Sequence, residues 1–182
     1  MKKIVLFLSI MLASGLLFTN IYNSMVDVKS WGADIPQSLA TARLYFKSAN
    51  PGVFFRLFSP INQLLALIAL IMFWKSSTTV RTFLSIALVL YVLSDVFTFA
   101  YFYPRNDILF KTVPLTMTNI LRKAWSDWNS MNWLRSFMVF AGLIFSFLSL
   151  NKIYGKRNEE PAINVTGKLS GRALQTIKEQ NQ

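Results

Sequence analysis

Apolar positions fall into four long runs separated by polar stretches. The runs are Ile4 to about Tyr22, about Phe54 to Trp74, Phe83 to Tyr103, and about Trp133 to Leu150. A bilayer core of about 30 Å takes about 20 mostly apolar residues as helix. Each run is therefore read as a membrane span. The pattern predicts an all-α protein, a four-transmembrane-helix antiparallel bundle with two long loops on one side. Residues 1–155 form the transmembrane domain and residues 156–182 a polar, flexible tail.

Three features qualify this reading. Lys2, Lys3 and the small residues Ala13-Ser14-Gly15 resemble a signal peptide, but the apolar run continues through Leu16-Leu17-Phe18, which favours a span. Pro60, Asn62 and Gln63 lie near the start of the second run. Either this end packs against protein, which can satisfy the carbonyl that Pro frees, or the helix begins near Ile61 and residues 54–59 are interfacial. Residues 23–53 and 104–132 are read as long loops, the second containing a helical stretch from about Met117 that runs into the fourth span. Lys75 to Arg81 is a tight turn that makes spans two and three antiparallel neighbours.

Composition narrows the function. Of 182 residues, 53% are hydrophobic and 15% charged, against about 25% charged in ordinary soluble domains. Intrinsic disorder is excluded, and a soluble globular domain is disfavoured. The chain has no Cys and no His. That removes disulfides, Cys/His zinc sites, Ser-His or Cys-His nucleophile pairs and His- or Cys-held haem. Of the eight acids only Asp95 lies inside an apolar run, so no carboxylate cluster is visible and neither metal nor cofactor is expected. The net charge of +11 points to anionic lipid as a partner, not to nucleic acid, because the basic residues sit between spans and in the tail. Lys75 to Arg81 carries two basic and no acidic residues, and Lys152, Lys156 and Arg157 follow the fourth span. By the positive-inside rule, both termini are cytoplasmic in a multi-pass protein of the plasma (inner) membrane.

Several polar residues then gather toward the outer leaflet. Asn20 closes span one, Asn62 opens span two, Asp95 and Tyr101 lie toward the end of span three, and Asn132 and Arg135 open span four. Ionisable groups in lipid are costly and usually face partners inside the bundle. Asp95 lies eight residues, or about 12 Å, inside the Tyr103 end. Arg135 is near the same end, so an Asp95–Arg135 contact is expected, direct or through water. The alternative pairs Asp95 with Tyr or Asn groups and lets Arg135 snorkel to headgroups. Trp125, Trp128, Asn132 and Arg135 fall within about an 80° arc of one helix. That face is either the rim of a pocket or an aromatic belt, with Asn132 and Arg135 in a buried network. Gly142 and Ser146 form a small-x-x-x-small pair suited to close helix packing.

Short features recur in a familiar order. An apolar first helix is followed by Asn50-Pro51, by Pro104-Arg105-Asn106-Asp107-Ile108-Leu109 after the third helix, and by Trp128, Asn132 and Arg135 at the fourth. Over roughly residues 1–152 the chain resembles the anthrone-oxygenase-like family of small four-span membrane proteins, most of unknown function. The resemblance implies a four-helix membrane bundle and cofactor-free oxygenation of an activated aromatic ring. Because His is absent, the general base would be Asp95, or a tyrosine such as Tyr101 or Tyr22.

The resulting expectation is an integral membrane protein with a polar interior site near one leaflet, binding a hydrophobic small molecule. The alternative is a cofactor-independent oxygenase or isomerase acting on an aromatic or quinone-like substrate. A transporter is disfavoured, since four spans are few and no broken-helix pair is evident. The binding candidates are Asn20, Asn62, Asp95, Tyr101, Asn106, Trp128, Asn132 and Arg135, with Asp95 the catalytic candidate. The orientation is directly testable. Cysteines at Ser77 and Ser170 should resist an impermeant thiol reagent in intact cells, and one at Asn119 should react. The opposite labelling pattern would invert the topology.

Overall fold

The computed structural model describes residues 1–180, with side chains through Gly155. The expected flexible tail, residues 156–182, lies outside the residues whose side chains are described. The elements are α1 (Lys2–Gly32), α2 (Gln37–Tyr45), α3 (Pro51–Met72), α4 (Thr78–Thr112) and α5 (Thr118–Gln180). No strand occurs among the described residues. Helices α1, α3, α4 and α5, the last taken to Gly155, are long and apolar enough to cross a membrane. The protein is an all-α, multi-pass membrane protein.

The principal contacts run α1 to α3, α3 to α4, α4 to α5 and α5 back to α1, so the four spans close a ring. The seam is legible in the sequence. Leu6, Ile10, Ala13 and Leu17 on α1 recur at intervals of 4, 3 and 4, as do Val80, Leu84, Ala87 and Tyr91 on α4. That spacing keeps one stripe facing the neighbouring helices. Ala13, Ala66, Ala69 and Ala87 are all buried in this core. Lipid tails are as apolar as Leu, so association rests on close packing, which small side chains permit. Phe18, Ile71 and Phe137 point outward toward lipid. Gly142 does what its small-residue spacing suggested. A Cβ there would stand 2.6 Å from Cε1 of Tyr91, whose hydroxyl lies 3.2 Å from Oγ of Ser146.

The spans differ in length from the sequence reading. Helix α1 continues to Gly32 and α4 to Thr112, each through π-helical turns at Asn23–Asp27, Thr98–Phe102 and Ile108–Thr112. Helix α3 begins at Pro51, with Pro60 inside it, so it does not start near Ile61. The two expected loops are largely helical, because they have a core of their own. Val28, Trp31, Ile35, Leu39 and Ala42 pack with Phe102, Leu109, Leu121, Ala124 and Trp128. Val28, Trp31, Ile35, Leu39 and Ala42, and Leu121, Ala124 and Trp128, are spaced 3 or 4 apart, and Phe102 and Leu109 are 7 apart, but these stretches are polar on average. The result is a helical cap beyond the ends of the spans.

Polar side chains tie the cap to helix ends. Arg43 of α2 donates from Nε to the Leu109 carbonyl at 2.8 Å and from Nη2 to the Val113 carbonyl at 2.9 Å. A cation there satisfies orphan carbonyls and complements the negative end of the α4 dipole. Partial burial pulls the Arg43 pKa below its ordinary value. Trp125 Nε1 donates to the Val28 carbonyl at 2.7 Å, and Arg122 to that of Ile35 at 2.9 Å. The Trp125 indole lies directly over Gly32, where a Cβ has no room. Gly32→Ala should therefore cost about 1–3 kcal/mol in detergent melting, as overpacking does. Gly15→Ala meets nothing within 4 Å and should be neutral or slightly stabilising.

Candidate functional site

Each spanning helix brings a polar group to the same end of the bundle. Helix α1 supplies Asn20, α3 supplies Ser59, Asn62 and Gln63, α4 supplies Asp95 and Thr98, and α5 supplies Asn132, Arg135 and Ser136. Here, between the spans and the cap, lies a cavity of about 840 Å³. Asn20, Asn62, Asp95, Asn106, Trp128 and Arg135 all line it, whereas Asn132 and Tyr101 do not.

Arg135 is 7% exposed. It donates to Oδ1 of Asn20 and, at 3.4 Å, to Oγ1 of Thr98. Its guanidinium stands 4.3 Å from the ring centroid of Phe102. Asn20 in turn donates to Oγ of Ser136 at 2.7 Å, and Ser136 donates to the Asn132 carbonyl at 2.9 Å. Asn132 donates to Oγ of Ser24 and to the Asn20 carbonyl. Asn132 and Arg135 thus belong to a buried network joining α5 to α1. Asn132 is a wholly buried strut of that network, away from the cavity wall.

Asp95 is held from the other side. Its two carboxylate oxygens accept from Ser59 Oγ at 2.7 Å and from Gln63 Nε2 at 2.6 Å. The expected direct Asp95–Arg135 contact is not formed. Each charge is bonded instead to neutral groups on neighbouring helices: Asp95 of α4 to α3, and Arg135 of α5 to α1 and α4. Ion pairs among the described residues lie elsewhere, at Arg105–Asp127, Lys111–Asp107 and Lys123–Asp127. Ser59 and Gln63 are the partners that the sequence reading missed. They sit four residues apart on one face of α3, a polar pair within an apolar run, and that spacing was the available signal.

The remaining candidates have structural partners. Asn62 accepts from Ser9 Oγ at 3.3 Å. Tyr101 stacks on Phe97 and lies beneath Arg105, away from the cavity. Tyr22 is exposed and does not line the cavity either. Asn106 accepts from Trp128 Nε1 at 2.9 Å, and the Trp128 ring meets Trp31 and Phe102 edge-on. The proposed rim of two indoles is therefore absent. Trp125 packs in the cap, and Trp128 reaches the cavity with its N–H already used. Of the candidate bases, only Asp95 stands on the cavity wall.

A family model described as anthrone oxygenase matches residues 53–145, just over half of the chain. The matched stretch carries every binding candidate except Asn20. No curated protein and no solved structure matches.

The hydrogen-bond assignment has a measurable consequence. In double-mutant cycles by detergent unfolding, Asp95→Leu with Gln63→Leu should show a coupling of about 1–3 kcal/mol. Asp95→Leu with Arg135→Leu should show a smaller one. The reverse order would mean that the two charges meet directly.

Proposed function

The chain belongs to the anthrone oxygenase family, and from that premise we propose that its cavity binds a hydrophobic small molecule within one leaflet. The cavity carries this reading. At about 840 Å³ it falls in the range of small-molecule sites. Trp31, Phe55, Phe99 and Phe110 give it apolar, aromatic walls. A few fixed polar groups, chiefly Arg135, Asn62 and Asp95, orient what enters. This combination of apolar surface and sparse convergent polarity is what ligand pockets use for affinity and selectivity. The Lys75–Arg81 turn supports an orientation with both termini cytoplasmic, which puts the cavity toward the outer leaflet.

The second reading is cofactor-independent oxygenation or isomerisation of an aromatic or quinone-like molecule. Asp95 favours it. Its carboxylate stands on the cavity wall, within reach of a proton on a bound ring.

Binding is tested by native mass spectrometry of protein extracted from its own membranes. The wild type should retain a hydrophobic adduct distinct from detergent and phospholipid. Val139→Trp, which fills the cavity, should lose it. A wild type with no adduct, or an adduct indifferent to the filled cavity, would remove the basis for a ligand site.

A further inference from the structure

Arg135 is a buried guanidinium with no acid in ion-pair contact. Among the described residues no Asp or Glu oxygen lies within 4.0 Å of it. Its two acceptors, Asn20 and Thr98, are neutral amide and hydroxyl oxygens. Its Nε is buried and has no acceptor. Phe102, Phe55 and Trp128 offer ring faces at 4.3, 5.4 and 5.7 Å, which soften the loss of water but supply no countercharge. A buried charge left in this state is costly unless an anion joins it.

The cavity brings such an anion within reach. Arg135 lines it, and so do Lys47, Arg56 and Lys111 nearer the cap. Lys111 pairs with Asp107 at 2.8 Å, and neither Lys47 nor Arg56 has an ion-pair partner among the described residues. The one acid deep in the cavity, Asp95, already has both oxygens engaged by Ser59 and Gln63. Asp95 and Asp107 are the acids on the wall, against Arg43, Lys47, Arg56, Lys111 and Arg135, so the net field still favours negative charge drawn inward toward Arg135. The planar guanidinium suits a planar oxyanion, and the aromatic walls suit a ring attached to it.

We propose that the cavity takes a lipophilic aromatic carboxylate, whose charged oxygens dock on Arg135 while its ring lies against the aromatic walls. This deepens the cavity reading and rests on it. An anionic lipid headgroup shares the oxyanion chemistry, and the test separates the two sources.

The experiment uses the full chain in non-ionic detergent and measures binding of 2-naphthoate and of its neutral methyl ester by equilibrium dialysis. Comparing wild type with variants in the same micelles cancels partition of each probe into detergent. Arg135→Gln should weaken 2-naphthoate about ten-fold or more and the ester less than about two-fold. Asn20→Asp, nearly isosteric, should set a carboxylate beside the guanidinium. It should raise the melting temperature and cause the same selective loss of the anion, so the proposal remains testable if Arg135→Gln does not fold. Equal effects on both probes, or no effect on either, would overturn the proposal. Displacement of 2-naphthoate by phosphatidylglycerol but not by phosphatidylcholine would assign the site to a lipid headgroup and overturn it as well. Wild type that binds the ester with no preference for the anion defeats this proposal alone. Wild type that binds neither probe defeats the cavity reading with it.

Discussion

A polar group set among lipid tails has no water to bond with, so it must find its partners inside the bundle or not be there at all. The arrangement of this protein follows from that requirement. Asn20, Asn62, Asp95, Asn132 and Arg135 come from four different helices, and each is held by a hydrogen bond to another helix. The bonds fix how the helices face one another at the end where the apolar seam gives way. Toward the other end such bonds thin out to Ser9–Asn62 and Tyr91–Ser146. There Leu6, Ile10, Val80, Leu84 and Leu150 pack in the apolar core.

The same end carries the cap. Once α1 and α4 run past the membrane, their apolar faces need cover, and α2 with the first turns of α5 provides it. The cap and the polar level are joined through Trp128, which packs in the cap core, bonds to Asn106 and lends its face to Arg135. The π-helical turns at Asn23–Asp27 and Thr98–Phe102 fall at this junction, next to Asn20 and Asp95. Such turns add a residue to a helical circuit and are frequent at functional sites. Here they lie where the helices leave the close-packed seam and the cavity opens.

The two charges of the cavity are handled differently. Asp95 accepts from α3, with one donor on each oxygen. Arg135 has more donors than its surroundings have acceptors, and it stays buried among rings. That asymmetry distinguishes a carboxylate with a donor on each oxygen from a guanidinium with unused capacity. It also explains why one cavity holds a base candidate and an anion-docking group without the two neutralising each other.

By itself the sequence determined the all-α class, the four spans and the membrane setting, because length and hydropathy alone decide whether a helix can cross a bilayer. It also located the polar level, since polar residues stand out against apolar runs, and Gly142 with Ser146 marked a close contact by spacing alone. Only the tertiary structure decided the partners. Asp95 turned toward Ser59 and Gln63 because α3 is its neighbour in the ring, and helix order around a ring is not written in hydropathy. The cap was missed for a related reason. Val28, Trp31, Leu39, Leu121 and Trp128 are spread over segments that are polar on average, and their shared core exists only once the segments meet. Which face of α5 became strut and which became cavity wall was likewise settled by packing, which buried Asn132 against α1 and left Arg135 facing the open space.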